Sequence, residues 1–177
     1  MADGHKTPSE LVDYMITVGI DKATKPLFKL MVLGIFGGAF IALGGAGNII
    51  SASTLAKTDP GLAKFVGACV FPVGLIMVVI LGSELFTSNC LLSVAYTNKK
   101  INFTQLIRNL VTVYLFNYVG SFIVAYITVR GGSFNADSLD YLQNIATHKV
   151  HADAYALFIK GILCNVLVCG AVLLSYT

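Results

Sequence analysis

The sequence predicts an all-α membrane protein, and three observations predict it. Of its 177 residues, 56% are hydrophobic and only 12% charged, where soluble domains carry about 25% charged residues. Mean hydropathy is +0.78. Long uncharged runs recur at residues 30–50, 65–83 and 109–129, and about 20 apolar residues of helix cross a hydrocarbon core about 30 Å thick. A soluble domain of this length would still have to expose most of its perimeter, so lipid is the solvent for much of the chain. The net charge of +3 is small and scattered, with no basic run interleaved with aromatics, which excludes a nucleic-acid partner.

Residues 7–25 read as an amphipathic helix. Thr7, Pro8 and Glu10 fit an N-cap, a first-turn proline and a capping-box glutamate. Leu11, Val12, Met15 and Val18 recur at helical spacing opposite Asp13, Thr17 and Asp21, and Pro26 ends the pattern. Such a helix lies on the membrane surface or on the rest of the protein; a plug beneath a pore is the sharper alternative. Nothing before it has the basic flank and short apolar core of a signal peptide, so insertion falls to the first span. That span, 30–50, carries Gly34, Gly38, Ala42 and Ala46 every four residues, a stripe of small residues that lets another helix approach closely.

The run 65–83 contains Pro72 and is ended abruptly by Glu84, after which residues 85–98 are apolar again but too short to span. A hairpin with Glu84 at the surface is one arrangement. The other, which joins the pieces better, is a single interrupted helix with a long first arm, a loop over 84–89 and a short second arm. Irregular backbone is tolerated at membrane depth only where it lines a cavity or is buried in protein, and broken helices mark binding sites in transport proteins. The run 109–129 is bounded by Arg108 and Arg130. The chain is then polar to Asp153, and a fourth apolar segment, interrupted by Lys160, runs to Thr177. Lysine and arginine counts orient the bundle: Lys6, Lys22, Lys25, Lys29, Lys99, Lys100 and Arg108 share one side, against Lys57, Lys64, Arg130 and Lys149 on the other. The N-terminus is therefore expected in the cytoplasm.

Catalytic arrangements are missing: there is no P-loop, Rossmann fingerprint or nucleophile elbow, and no enzyme activity or cofactor is expected. His148 and His151 stand three apart in a polar stretch without acidic or cysteine partners, so no metal site is expected either. Cys69, Cys90, Cys164 and Cys169 sit in apolar stretches without a CxxC pair and read as packing residues. Two polar features remain. Around Glu84, an unwound segment frees backbone groups to which Thr87 and Ser88 add hydroxyls, together able to replace part of a small ion's hydration shell. At the entrance to the fourth span, Lys149 supplies a positive charge, with Asn165 farther along. A solvated loop lysine and a helix-to-helix amide are the plainer readings of those two.

Two stretches carry a resemblance: Lys64 to Gly67 running on to Gly82, Ser83, Glu84, Leu85, Phe86, Thr87 and Ser88; and His148, Lys149, Val150 and His151, with Asn165 sixteen residues past the lysine. In motif and spacing they resemble the formate/nitrite transporter family, from about Lys25 to the last residue. The resemblance implies an aquaporin-like bundle of six helices arranged as an inverted repeat. The second and fifth helices are interrupted, and the protein is a membrane-embedded homopentamer with a pore in each protomer. It implies that Thr87, Lys149 and Asn165 line the substrate path, and that Phe71, Leu75, Leu85, Phe86 and Val168 form its apolar constrictions. Residues 1–25 would be a cytoplasmic helix and 26–177 the transmembrane pore domain, with about four of the six spans. The fifth helix, with its central histidine, and the sixth would follow Thr177, and neither His5, His148 nor His151 fits that histidine, so the chain reads as a partial one. The implied function is transport of a small monovalent anion, formate before nitrite or hydrosulfide, coupled to protonation of the substrate. A bare anion in an apolar constriction is penalised by several kcal/mol or more, and its conjugate acid far less. The competing reading is a non-transporting membrane anchor or assembly subunit of an enzyme complex. A neutral-solute pore would need paired Asn-Pro-Ala loops that this sequence does not contain.

Overall fold

A computed structural model describes residues 6–177; residues 1–5, and with them His5, lie outside the described residues. The described residues contain no strand. Helix α1 (Pro8–Thr24) starts on the capping box read from the sequence, with Thr7 Oγ1 accepting from the Glu10 amide and Glu10 returning a bond to the Thr7 amide. Its inner face is Met15, Gly19 and Ala23, set against α6 (Leu92–Thr97). Val12, expected on that face, is 43% exposed: the docking stripe is rotated toward the small residues, because Gly19 must pass within touching distance of Ala95.

Four helical segments are long and apolar enough to cross a membrane. The first, α2 (Leu27–Ala52), is the central one and packs most extensively against α7 (Phe103–Arg130). Gly34 and Gly38 of the expected stripe are buried there, but Ala42 and Ala46 are only half-buried, and Gly37 and Gly44 complete the buried set. The difference arises because α2 has two partners rather than one. Gly38 faces α7, where a Cβ would collide with the Asn117 carbonyl, and Gly37 faces the chain break, where a Cβ would collide with the Glu84 carbonyl.

The second span is broken, as the sequence suggests, but the parts are cut differently. The first arm is divided at Phe71, just before Pro72, into α3 (Pro60–Val70) and α4 (Pro72–Ile80). The irregular backbone covers 81–85, with Gly82 at φ 67°, rather than 84–89. Phe86–Asn89 is a helical turn, α5, leading to the short second arm α6. A left-handed residue is what a glycine supplies without steric penalty, and it turns the chain out of α4.

The polar stretch after Arg130 is also different from the expectation of a loop. It folds as α8 (Ala136–Val150), capped by Asn135, whose side chain accepts from the Ser138 amide. His148 and Lys149 stand on its last turn. Ser138 bonds the Ser53 hydroxyl at 3.0 Å and Asp137 pairs with Lys57 at 2.6 Å, so polar contacts dock what apolar periodicity does not advertise. Helix α9 (Ala154–Leu174) runs through Lys160 without interruption and is exposed along most of its length, touching α5.

Candidate functional site: the break in the second span

The break is held by a clamp of amides and charges drawn from three elements. Asn117, in the middle of α7, donates to the carbonyls of Gly34 at 2.7 Å and Glu84 at 2.9 Å, and its Oδ1 accepts from the Phe86 amide at 2.9 Å. One side chain thus satisfies backbone groups on both sides of the gap and on α2. The Glu84 amide donates to the Leu33 carbonyl at 3.2 Å. These bonds answer the requirement that backbone polar groups freed from a helix in an apolar medium find partners.

Glu84 is buried, its side chain 2% exposed. Its carboxylate meets Lys22 at 3.0 Å and Lys25 at 3.2 Å, and accepts from Asn89 Nδ2 at 2.8 Å. Asn89 accepts from Lys22 at 2.8 Å and bonds Asn109 Oδ1 at 2.8 Å, while Asn109 Nδ2 returns to the Lys22 carbonyl at 2.9 Å. Arg108 reaches the Lys25 carbonyl. A buried carboxylate needs this many partners, since an unpaired one would be strongly destabilising. Just past the end of α1, Lys25 also pairs with Asp21 at 2.6 Å. Burial pulls the Lys25 ammonium down, but the Asp21 hydrogen bond and the Glu84 charge outweigh it and leave the group above the ordinary lysine range. The Lys25 hydrogen bond holds Asp21 below the ordinary carboxylate range. A cavity of about 190 Å³ lies beside this network, lined by Lys22, Lys25, Gly82, Ser83, Glu84, Ser88 and Tyr176 among others.

Thr87 lies on α5, one turn past the clamp. Its Oγ1 is the buried side-chain polar atom that has no hydrogen-bond partner among the described residues. Its neighbour Ser88 spends its hydroxyl on the Leu85 carbonyl at 3.0 Å, so only Thr87 keeps a hydroxyl free. Asn165 is brought to the same helical turn: Cys90 Sγ donates to Asn165 Oδ1 at 3.2 Å, and Asn165 Nδ2 donates to the Gly161 carbonyl at 2.9 Å. Val168 is half-buried on the same side of α9, next to Cys169, whose Sγ donates to the Thr87 carbonyl at 3.2 Å. Leu85 is buried, and Phe86 stacks edge-on against Tyr114 with centroids 5.3 Å apart. Leu75 is half-buried and Phe71 is 41% exposed.

The chain from residue 9 to 177 matches the formate/nitrite transporter family model. It belongs to that family. Among its relatives are a formate channel of Haemophilus influenzae, 44% identical over 97% of this chain, and a formate channel of Bacillus thuringiensis, 38% identical over 97%. The chain spans 61% of the first relative's length and 67% of the second's. A solved ion channel of the same family superposes with a TM-score of 0.81 at 31% identity, over 94% of this chain and 68% of that one. The protein is a multi-pass membrane protein, and its relatives are channels and transporters rather than enzymes.

Within this family member, Lys149 stands apart from the other singled-out residues. It is exposed on the last turn of α8, with no ion pair among the described residues. Asn165 lies eleven residues into α9, roughly 16 Å down the helix axis from its start. The lysines that reach the break are Lys22 and Lys25, which the sequence offered only as topology-setting charges. Asn89, Asn109 and Asn117 were missed as well. The available signal was Asn109, Val113, Asn117 and Ser121, spaced by four on one face of an otherwise apolar helix.

Proposed function

We propose that this protein conducts a small monovalent anion across the membrane, formate first, with nitrite and hydrosulfide as the alternatives of the same charge and size. The observation that carries the reading is the broken span with the unpartnered Thr87 hydroxyl beside it. A buried hydroxyl without a partner is destabilising by about 1–3 kcal/mol, and a passing polar solute relieves it. A membrane anchor needs neither a gap in a span nor an idle hydroxyl.

In this reading each protomer of a homopentamer holds its own pore, with the N-terminus in the cytoplasm, the side that carries seven of the twelve lysines and arginines. Lys149, exposed at the mouth of α9, gathers the anion by its charge, which holds it in its ionised form there; protonation becomes favourable only farther in, where the apolar passage penalises the bare anion. Thr87 and Asn165 offer hydrogen bonds to the dehydrated species. Phe71, Leu75, Leu85, Phe86 and Val168 form the dry passages that reject the charged form and admit the conjugate acid. Dispersing a charge into such a passage is far less favourable than passing a neutral molecule.

The test is flux of formate, nitrite and hydrosulfide into proteoliposomes across a range of pH, for the native protein, Lys149→Ala and Thr87→Val. Flux should rise with the fraction of conjugate acid and fall in both variants, while the near-isosteric Thr87→Val keeps its thermal stability. Equal flux in all three proteins would remove both residues from the path.

A further inference from the structure

We infer that Cys90 and Cys169 form a two-thiol site for a soft divalent cation of the mercuric class, bridging α5 to α9. The two thiols reach adjacent carbonyls of α5: Cys90 Sγ donates to the Phe86 carbonyl at 3.5 Å and Cys169 Sγ to the carbonyl of the next residue, Thr87, at 3.2 Å. The Thr87 carbonyl also accepts from the Cys90 amide at 3.3 Å. Cys90 Sγ in turn donates to Asn165 Oδ1 at 3.2 Å, and Asn165 sits four residues before Cys169, hence on the same face of α9. Both thiols therefore lie in the seam between the same two helices.

They also share a space. A cavity of about 530 Å³ is lined by Cys90, Asn165 and Cys169 together with Phe158, Ile162 and Val166. No group of three or more histidine, cysteine or acidic residues that could hold a metal exists among the described residues, so the two thiols are the soft donors on this cavity. Soft closed-shell ions need less, because thiolates select them by softness rather than by ligand number.

The charge count fits the apolar walls. Each thiol gives up its proton and forms one sulfur–metal bond, so two protons leave as one divalent ion enters. The product is an uncharged bis-thiolate, and no oxidant is involved. A monovalent soft ion would leave a net negative charge in the same apolar seam, which is disfavoured. Capture withdraws Cys90 from Asn165 and Cys169 from the Thr87 carbonyl and fixes α5 to α9. The expected effect on flux rests on the pore reading proposed above; the capture itself does not.

The experiment uses purified protein in micelles carrying Cys69→Ser and Cys164→Ser, which remove the two exposed thiols, titrated with mercuric chloride. The ultraviolet sulfur-to-metal absorption, the mass of the intact protein and the loss of maleimide labelling are followed together. One ion per chain should protect both remaining cysteines, with release of two protons. Adding Cys90→Ser or Cys169→Ser should each lower affinity on the order of 100-fold or more, because two-point capture becomes single-point. Two ions per chain, or either serine variant at full affinity, overturns the site; Cys90→Ala and Cys169→Ala replace any serine variant that fails to fold by circular dichroism. Formate flux is measured in parallel. Capture with lost flux supports both readings, and capture with unchanged flux supports the site while counting against the pore.

Discussion

The two sides of the break are built by opposite means. On the α1, α2 and α7 side the break is tied down by polar contacts: Asn117 holds three backbone atoms, Glu84 has two lysines and an amide, and Gly37 and Gly38 press against carbonyls. On the α9 side the break is met by two thiol contacts and half-exposed apolar side chains. Thr87 lies on the seam between them. The gap is thus fixed from one side, and the other side meets it with few polar contacts.

That contrast can be broken most forcefully at Glu84. Glu84→Ala leaves Lys22 and Lys25, whose side chains are 15% and 14% exposed, without their buried partner, and removing one member of such a pair destabilises by about 3–5 kcal/mol. The expected result is a lowered melting temperature in detergent and faster amide exchange throughout α1. An unchanged melting temperature would mean that the ionic cluster is not what holds that side. Gly38→Ala comes next, since its Cβ would strike the Asn117 carbonyl; overpacking of this kind is destabilising by about 1–3 kcal/mol, read in the same melting assay, and by disturbing the clamp it should also lower flux.

Leu167→Ala sharpens the comparison from the other side. Leu167 is 74% exposed on α9, and a truncation there should change stability by no more than about 0.5 kcal/mol. A loss as large as that of a core leucine, measured by thermal melting in lipid, would reveal that this face is covered in the membrane. The smallest effect is that of pH on the docking of α1. Asp21 has a lowered folded pKa, so its contribution is complete above the ordinary carboxylate range and is lost only as pH falls through the lowered value. Lys25 has a raised folded pKa, so its contribution is complete below the ordinary lysine range and is lost only as pH rises through the raised value. Neither group changes state between about pH 5 and 9. Exchange rates in α1 that vary across that window, after correction for intrinsic chemistry, would show that another group governs the docking.

Much of this arrangement is legible in the sequence, and the illegible part has a common physical cause. The four spans announce themselves by length and apolarity, α1 by its capping box, and the break by a carboxylate embedded in an apolar run. What composition does not reveal is which lysines serve that carboxylate, because a partner such as Lys22, 62 residues away, leaves no local trace. Asn109 and Asn117 look like stray amides in an uncharged run, and Lys22 and Lys25 like charges in a polar flank. Helix α8 was hidden for the opposite reason. It docks through Ser138 and Asp137, so no hydrophobic period marks it.

Asn117 grips carbonyl and amide groups, not side chains. Its grip on the break therefore runs through the main chain, and exchanging the Phe86 side chain removes none of its three bonds. In the pore proposed above, the frame and its lining are thus separate parts, and the lining can vary while the frame stays.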